Sequence, residues 1–279
     1  MLRVISINVN GIRSAAGKGL YPWMARQRAD IVCLQELKAH ELDIPRAFAR
    51  ARSARPYFAC ATRKGYSGVA LLSRQEPLNV TCGFGSAEFD AEGRYLQADF
   101  DSLSVISVYF PSGSSSPDRQ QAKYRFLDQF EPVMRRLTRG GREVILCGDI
   151  NIAHTPMDLK NWRSNQKNSG FLPEERAWLT RVYSQGWVDV YRRLHPAAAE
   201  SGYTWWSNRG QAWAKNVGWR IDLQIATPGV AATATAASVY KRRRFSDHAP
   251  LTVDYEWELG APPAIAAART QSVAAAPLE

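Results

Sequence analysis

A carboxylate and an amide stand one residue apart in Gly148-Asp149-Ile150-Asn151, directly after the apolar run Val144-Ile145-Leu146-Cys147. The run reads as a short buried strand, and the glycine permits a tight turn. In open α/β sheets, ligands bind in the crevice beyond the carboxyl ends of the strands. Asp149 and Asn151 are therefore expected at the mouth of a site. A Gly-Asp pair after a strand is also an ordinary turn, and the functional reading gains weight because the arrangement recurs. Val4-Ile5-Ser6-Ile7 ends in Asn8, and Asp30 to Leu34 ends in Gln35-Glu36. Leu103 to Phe110 carries Tyr109, Trp219 to Ile225 carries Asp222, and Asp247-His248 precedes a last strand from Leu251 to Tyr255.

The candidate set is thus Asn8, Glu36, Tyr109, Asp149, Asn151, Asp222, Asp247 and His248. It holds carboxylates and one imidazole, without thiolate or a second His. Oxygen donors of this kind suit Mg²⁺ or Mn²⁺ rather than zinc. A hard cation, a His and a free carboxylate are the equipment for metal-assisted hydrolysis of a phosphate ester.

Helices must cover these strands. Leu20 to Ala29 has helical spacing, and a helix from an Asp118 cap to about Thr138 places Leu127, Phe130, Met134 and Leu137 on one face. Gly140-Gly141 ends it. Pro173-Glu174-Glu175 opens another helix, with proline and acids in its first turn. Arg94 to Phe100 and Leu103 to Phe110 read as paired strands around Asp101-Ser102. Residues 153–171 are polar and read as a long loop, which in a compact domain is usually functional. The fold class expected is α/β: a four-layered α/β sandwich, two mixed β-sheets packed face to face and flanked by helices. Residues 1–259 form a single catalytic domain on this reading. Residues 260–279, rich in Ala and Pro, read as a disordered tail.

The formal net charge of +10 favours a polyanionic partner. Nine Trp add stacking surfaces suited to nucleic acid. The cysteines form no C-x-x-C pair, and Cys33 and Cys147 sit in apolar strand patterns. A reducing, cytoplasmic setting without structural zinc follows. No stretch approaches the roughly 18 apolar residues of a membrane span, so no membrane partner is expected, and the chain is expected to act as a monomer.

The sequence resembles the exonuclease III-type AP endonucleases of the endonuclease/exonuclease/phosphatase superfamily. The resemblance covers residues 1 to about 257. It is carried by Asn8-Val9-Asn10-Gly11-Ile12-Arg13, Leu34-Gln35-Glu36-Leu37-Lys38, Gly65-Tyr66-Ser67-Gly68, Gly148-Asp149-Ile150-Asn151, the stretch from Asn168 to Arg176, Tyr203-Thr204-Trp205-Trp206, the stretch from Asn216 to Asp222, and Ser246-Asp247-His248. The resemblance implies a Mg²⁺-dependent enzyme, Mn²⁺ substituting, with Glu36 as main metal ligand and Asn8, Asn10 and Asp247 nearby. It implies that Asp149 orients or deprotonates the attacking water and that Asn151 holds the scissile phosphate. His248 would stabilise the phosphate charge, Asp222 would fix the imidazole tautomer, and Tyr109 would donate to the phosphate or leaving oxygen. Arg13, Tyr66, Arg94, Asn161, Asn165 and Asn168 match positions facing the DNA backbone. Trp205, Trp219 and Ile221 match an apolar pocket for an extruded abasic sugar, and Arg209 lies in a loop that would enter the duplex. The implied substrate is double-stranded DNA with abasic sites or blocked 3′ ends.

Structural readings compete at several positions. Asp222 fits a buried structural acid, but a buried carboxylate needs a partner and His248 supplies one. The Trp side chains fit a core as well as a pocket. Asp189 reads as structural, and Asp43, Asp90 and Asp158 as turn residues. The run from Lys241 to Arg244 reads as a solvated face. Two other functions use the same residues: a nucleic-acid-binding regulator with little catalysis, and a phosphatase acting on a non-DNA phosphoester.

Overall fold

The computed structural model describes residues 1–44 and 54–260; apart from Gly260, the expected disordered tail lies outside the described residues. Two six-stranded sheets carry the described part of the fold. The first is built from β1 (Leu2–Asn8), β2 (Ile31–Gln35), β3 (Arg55–Ala59) and β4 (Val69–Ser73). The second is built from β5 (Asn79–Cys82), β6 (Tyr95–Asp99), β7 (Leu103–Tyr109), β8 (Glu143–Asp149) and β9 (Val188–Asp189). A ribbon pairs β10 (Trp205–Trp206) with β11 (Gly218–Trp219). Then β12 (Asp222–Ala226) joins the second sheet, and β13 (Ala234–Val239) and β14 (Leu251–Tyr255) complete the first. The orders are β13-β14-β1-β2-β4-β3 and β5-β6-β7-β8-β12-β9.

Each sheet holds one parallel pair, β1 with β2 and β7 with β8, and its other pairs are antiparallel. A parallel pair needs a crossover. Helices Ile12–Gly17 and Leu20–Gln27 supply the first, and helix Pro117–Arg139 the second. Both crossovers bring the carboxyl ends of two strands side by side.

The core shows why four layers form. Val4, Ile31 and Cys33 of one sheet pack with Val105, Ile145 and Cys147 of the other. On the outer faces, Ile5, Ile7 and Leu34 meet the helices after β1. Ile106, Leu146 and Ile225 meet Phe126, Phe130 and Trp178 on helices Pro117–Arg139 and Pro173–Ser184. Strands apolar on both faces become buried on both faces. The expected four-layered α/β sandwich is the observed architecture.

Four local expectations are corrected. The long helix is capped by Ser116, whose Oγ accepts from the Arg119 amide, and not by Asp118; Pro117 takes its first position. Residues 153–171 hold a 3₁₀ turn, Pro156–Asp158, and a helix, Trp162–Asn165. The run from Trp219 to Ile225 is two strands in different sheets, because buried Arg220 leaves the ladder to meet two carboxylates. Asp158 is no ordinary turn residue. It is buried, 2.7 Å from the Arg220 Nε and 2.6 Å from Arg192. Asp189, read as structural, bonds the Arg220 guanidinium at 2.7 and 3.1 Å. No helix of the described residues is long and apolar enough to cross a membrane.

This buried network sets a prediction. Burial alone would raise the Asp158 carboxyl, but Arg220, the Thr155 amide and Arg192 hold it down at about 2. The folded value lies below the ordinary one near 4. Its stabilisation is therefore present above about pH 4 and is lost as pH falls through about 2. Removing one partner of a buried pair strands a charge, so Asp158→Ala is expected to cost about 3 kcal/mol at pH 7. Urea unfolding at pH 7 and at about pH 2 measures this. An unchanged midpoint at pH 7 contradicts it.

Candidate active site

Side chains alternate across a strand, and that period assembles the site. On β8, Ile145 and Cys147 point into the interface between the sheets, so Asp149 follows in phase. On β1, Leu2 and Val4 set the same phase for Ser6 and Asn8. On β7, Leu103 and Val105 set it for Tyr109. On β12, Ala226 sets it for Gln224 and Asp222. Four strands therefore bring polar groups in phase to one end of the interface: β1, β7 and β8 by their last residues and β12 by its first. Below the rim the lining is already polar. Gln35 Nε2 donates to Ser107 Oγ at 3.1 Å, and Gln224 Nε2 donates across the interface to the Val4 carbonyl at 3.1 Å.

Asp149 and Asp222 are direct cross-strand partners, and both are buried. His248 joins them: its Nδ1 is 2.8 Å from Asp222 Oδ2, and its Nε2 is 3.8 Å from Asp149 Oδ2. One ligand atom from each of the three lies within 4.8 Å of the others. Asn8 Nδ2 donates to Asp149 Oδ2 at 2.9 Å. The Asn151 amide donates to Asp149 Oδ1 at 2.9 Å, and Asn151 Nδ2 reaches Oδ2 at 3.2 Å. Burial raises the Asp149 pKa to about 7; Asp222 and Glu36 add to the rise, while His248 and Asn8 oppose it. Burial alone would lower His248, but Asp222 and Asp149 overturn that and push it up. A base near the working pH beside a cationic imidazole is the pairing that proton transfer at a developing anion needs.

A second group of oxygens flanks the first. Asn10 Nδ2 donates to Asp247 Oδ1 at 2.8 Å. Lys38 Nζ lies 3.0 Å from Glu36 Oε1 and 2.5 Å from Asn10 Oδ1. An ammonium among these oxygens shows that their electrostatics suit a cation. Carboxylate and amide oxygens are also the donors that a hard divalent ion prefers. Asn10, Glu36, Lys38 and Asn151 all adopt left-handed backbone, with φ of 42°, 57°, 50° and 55°. Such strain in non-glycine residues clusters at functional sites.

A cavity of about 790 Å³ opens above both groups. Glu36, Tyr109, Asp149, Asn151, Asp247 and His248 form its polar floor. Trp205, Trp219 and Ile221 supply an apolar wall. The two Trp rings meet edge to face at 6.2 Å, and Trp205 Nε1 donates to Asp247 Oδ2 at 3.1 Å. Gly170, at φ 94°, closes that wall from behind; a Cβ there would come within 3.2 Å of both the Trp219 ring and the Asn151 carbonyl oxygen.

The model of the Endonuclease/Exonuclease/phosphatase family matches residues 5–248. The chain belongs to this family. It is 36% identical over 251 residues to an exodeoxyribonuclease of Bacillus subtilis, spanning 90% of this chain and 98% of that protein. An AP endonuclease structure from Archaeoglobus fulgidus superposes with a TM-score of 0.82 at 28% identity, covering 92% of this chain and all of that one. The 3′-5′ exonuclease NExo from Neisseria meningitidis does so at 0.83 and 27%, with the same coverage. The shared family fold thus hosts members named for endonuclease and for exonuclease activity, and the difference lies in site detail.

The expected site residues divide by place. Asn8, expected near the metal, donates from Nδ2 to Asp149, and its Oδ1 accepts from the Asn10 amide at 2.9 Å. Arg94, expected against DNA backbone, is buried. Its Nη1 donates to the Tyr109 carbonyl at 3.0 Å, its Nη2 to the Tyr66 hydroxyl at 2.9 Å, and its guanidinium lies 4.8 Å from the Tyr109 ring centre. Arg94 thus props Tyr109, and Tyr66 is held behind it. Burial and Glu36 keep the Tyr109 phenol well above its ordinary pKa against the pull of Arg94, so it stays a donor. Asn165 and Asn168 line the cavity rim and are joined by a 2.8 Å hydrogen bond. Arg13, Asn161 and Arg209 are exposed and lie outside the cavity lining. The run from Lys241 to Arg244 is more than a solvated face: Lys241 packs over Trp206 and Arg244 over Trp213.

Sequence reasoning gave Lys38, Gln120 and Lys123 no part in the site and saw Glu175 only as an acid opening its helix. Lys38 stood inside the quoted Glu36 motif. Lys123 falls three residues before Phe126 on the apolar stripe of its helix, and a charge on such a stripe is the available signal.

The paired carboxylates give a measurable consequence. Histidine NMR titration is expected to place His248 above the ordinary value near 6.5, and Asp222→Asn is expected to lower it. A wild-type midpoint at the ordinary value, unmoved by Asp222→Asn, contradicts the arrangement.

Proposed function

We propose that this chain is a Mg²⁺-dependent DNA-repair phosphodiesterase. It cleaves the backbone 5′ to abasic sites, leaving a 3′-hydroxyl and a 5′-deoxyribose phosphate, and it clears blocked 3′ ends as a 3′→5′ exonuclease or 3′-phosphodiesterase. The observation that carries the reading is Asp149. It is a buried, hydrogen-bonded carboxylate with its pKa raised to about 7, at the floor of a cavity whose wall is apolar Trp.

In this reading Asp149 takes the proton of the attacking water. Asn8 and the Asn151 amide fix its two oxygens. Asn151 orients a phosphate oxygen, and the His248 imidazolium stabilises the charge that grows on the phosphate. Asp222 holds the His248 ring through Nδ1, which leaves Nε2 on the Asp149 side. Tyr109 donates to the departing oxygen. Glu36, with Asn8, Asn10 and Asp247 nearby, would hold Mg²⁺, with Mn²⁺ in substitution. Bound there, the cation would neutralise phosphate charge and favour departure of the 3′ oxygen. Trp205, Trp219 and Ile221 form a slot that admits a sugar without its base. Asn165, Asn168 and the exposed Arg13, Asn161 and Arg209 place the duplex, where neutral amides position phosphates as well as cations do.

The catalytic unit is residues 1–259, acting as a monomer on double-stranded DNA in the cytoplasm. Four free cysteines fit a reducing compartment.

A nicking assay on abasic duplex tests the reading. Wild type is expected to cut with Mg²⁺ and not with EDTA. Asp149→Asn is expected to bind the duplex but lose cleavage by several orders of magnitude, and Glu36→Gln to need much more Mg²⁺. Near-wild-type cutting by Asp149→Asn removes Asp149 from the chemistry. Binding without any metal-dependent turnover favours a regulator, and turnover that abasic duplex does not compete favours a non-DNA phosphoester.

A further inference from the structure

The catalytic floor rests on a buried ion pair that the proposed chemistry does not touch. Lys123, on helix Pro117–Arg139, and Glu175, at the start of helix Pro173–Ser184, have no solvent exposure and lie 2.7 Å apart. Lys123 Nζ also donates to the Asn151 carbonyl at 2.7 Å. Glu175 accepts from the Gly170 amide at 2.7 Å, the Leu172 amide at 3.2 Å, Ser169 Oγ at 3.3 Å and Gln120 Nε2 at 3.0 Å.

These partners belong to three different walls of the cavity. Asn151 is the floor. Ser169 to Leu172 carries Gly170 against the Trp219 ring and follows Asn168 at the rim. Gln120 supports the loop of residues 112–116, where Gly113 packs so closely that an added Cβ would overlap Gln120 and Ser169. One charged pair thus fixes the relative positions of all three.

Burying two charges is costly, and an apolar replacement of such a pair is often neutral or stabilising. Stability alone is therefore a poor reason for the pair. Asn151 supplies another: it stands at the floor in the left-handed conformation, φ 55°, which Asn tolerates, and its backbone is held from both sides. Its amide is held by Asp149 and its carbonyl by Lys123.

We propose that the Lys123–Glu175 pair is a positioning element, which locks Asn151 and the Ser169–Leu172 wall in the arrangement that cleavage requires and so sets turnover rather than affinity. The inference rests on the proposed role of Asn151 at the phosphate. Misplacement of a reacting group by about 1 Å costs roughly 100-fold, and that is the size of effect the pair controls.

Cleavage of abasic duplex by wild type is measured first and tests the functional reading by itself. The ratio of variant to wild type then tests the pair. Lys123→Met/Glu175→Gln removes both charges together, so no buried charge is left alone. It is expected to keep its thermal midpoint within a few degrees and its KM within a few-fold, and to lose about 100-fold in kcat. Glu175→Gln alone leaves the Lys123 ammonium buried without its carboxylate and is expected to lower the thermal midpoint more than the paired substitution does. In an Asn151→Ala background the paired substitution is expected to cost far less, because the element it positions is gone. Unchanged kcat overturns the proposal. So does an equal loss in both backgrounds, which marks general damage, or a loss that appears in KM alone.

Discussion

Two carboxylates placed as cross-strand partners between two sheets are the constraint on which this site depends. Asp149 and Asp222 sit opposite each other on β8 and β12, both out of solvent. Facing Cα atoms in an antiparallel pair are about 5 Å apart, so two like charges there repel strongly at low dielectric. His248 resolves the conflict by standing between them, 2.8 Å from one and 3.8 Å from the other. The cost of burying the second carboxylate reappears as basicity: Asp149 is driven up toward neutrality, where a carboxylate works as a base. Catalytic power and burial are two readings of one electrostatic problem.

The rest of the fold delivers those groups. Two parallel pairs, each with its crossover helices, turn four strand ends to one rim. The period of two along each strand brings Asn8, Tyr109, Asp149 and Asp222 to one end of the interface, above a buried polar band that includes Ser107 and Gln224. Buried charges support the groups from behind: Arg94 under Tyr109, Lys123 under Asn151, Arg220 beside the strand that carries Asp222. A buried charge lacks a water shell and must find fixed partners, which makes each a rigid strut.

Much of this was legible in the sequence. Apolar runs such as Val144 to Cys147 and Val4 to Ile7 marked central strands, and the polar residue after each run marked the rim. The long helix was plain from Leu127, Phe130, Met134 and Leu137. What escaped has physical causes. Strands β5 and β13 lie at sheet edges, where half-exposed mixed residues blur the period of two. Arg220 broke an apparent strand because long-range partners, Asp158 and Asp189, outweighed local propensity. Arg94 resembled a surface cation, and only tertiary packing shows it buried beneath Tyr109. The contact Asn8 makes with Asp149 was not legible, since hydrogen-bond partners are not written in residue type.

The central claim is that Asp149, His248 and Asp222 act as one unit. Single-turnover cleavage of abasic duplex by Asp149→Asn, His248→Asn and the double variant tests it most directly. Groups acting as a unit lose most of their effect at the first removal, so the double variant should cleave no more than a few-fold slower than the worse single variant. A double variant whose loss equals the product of the two single losses would contradict the account.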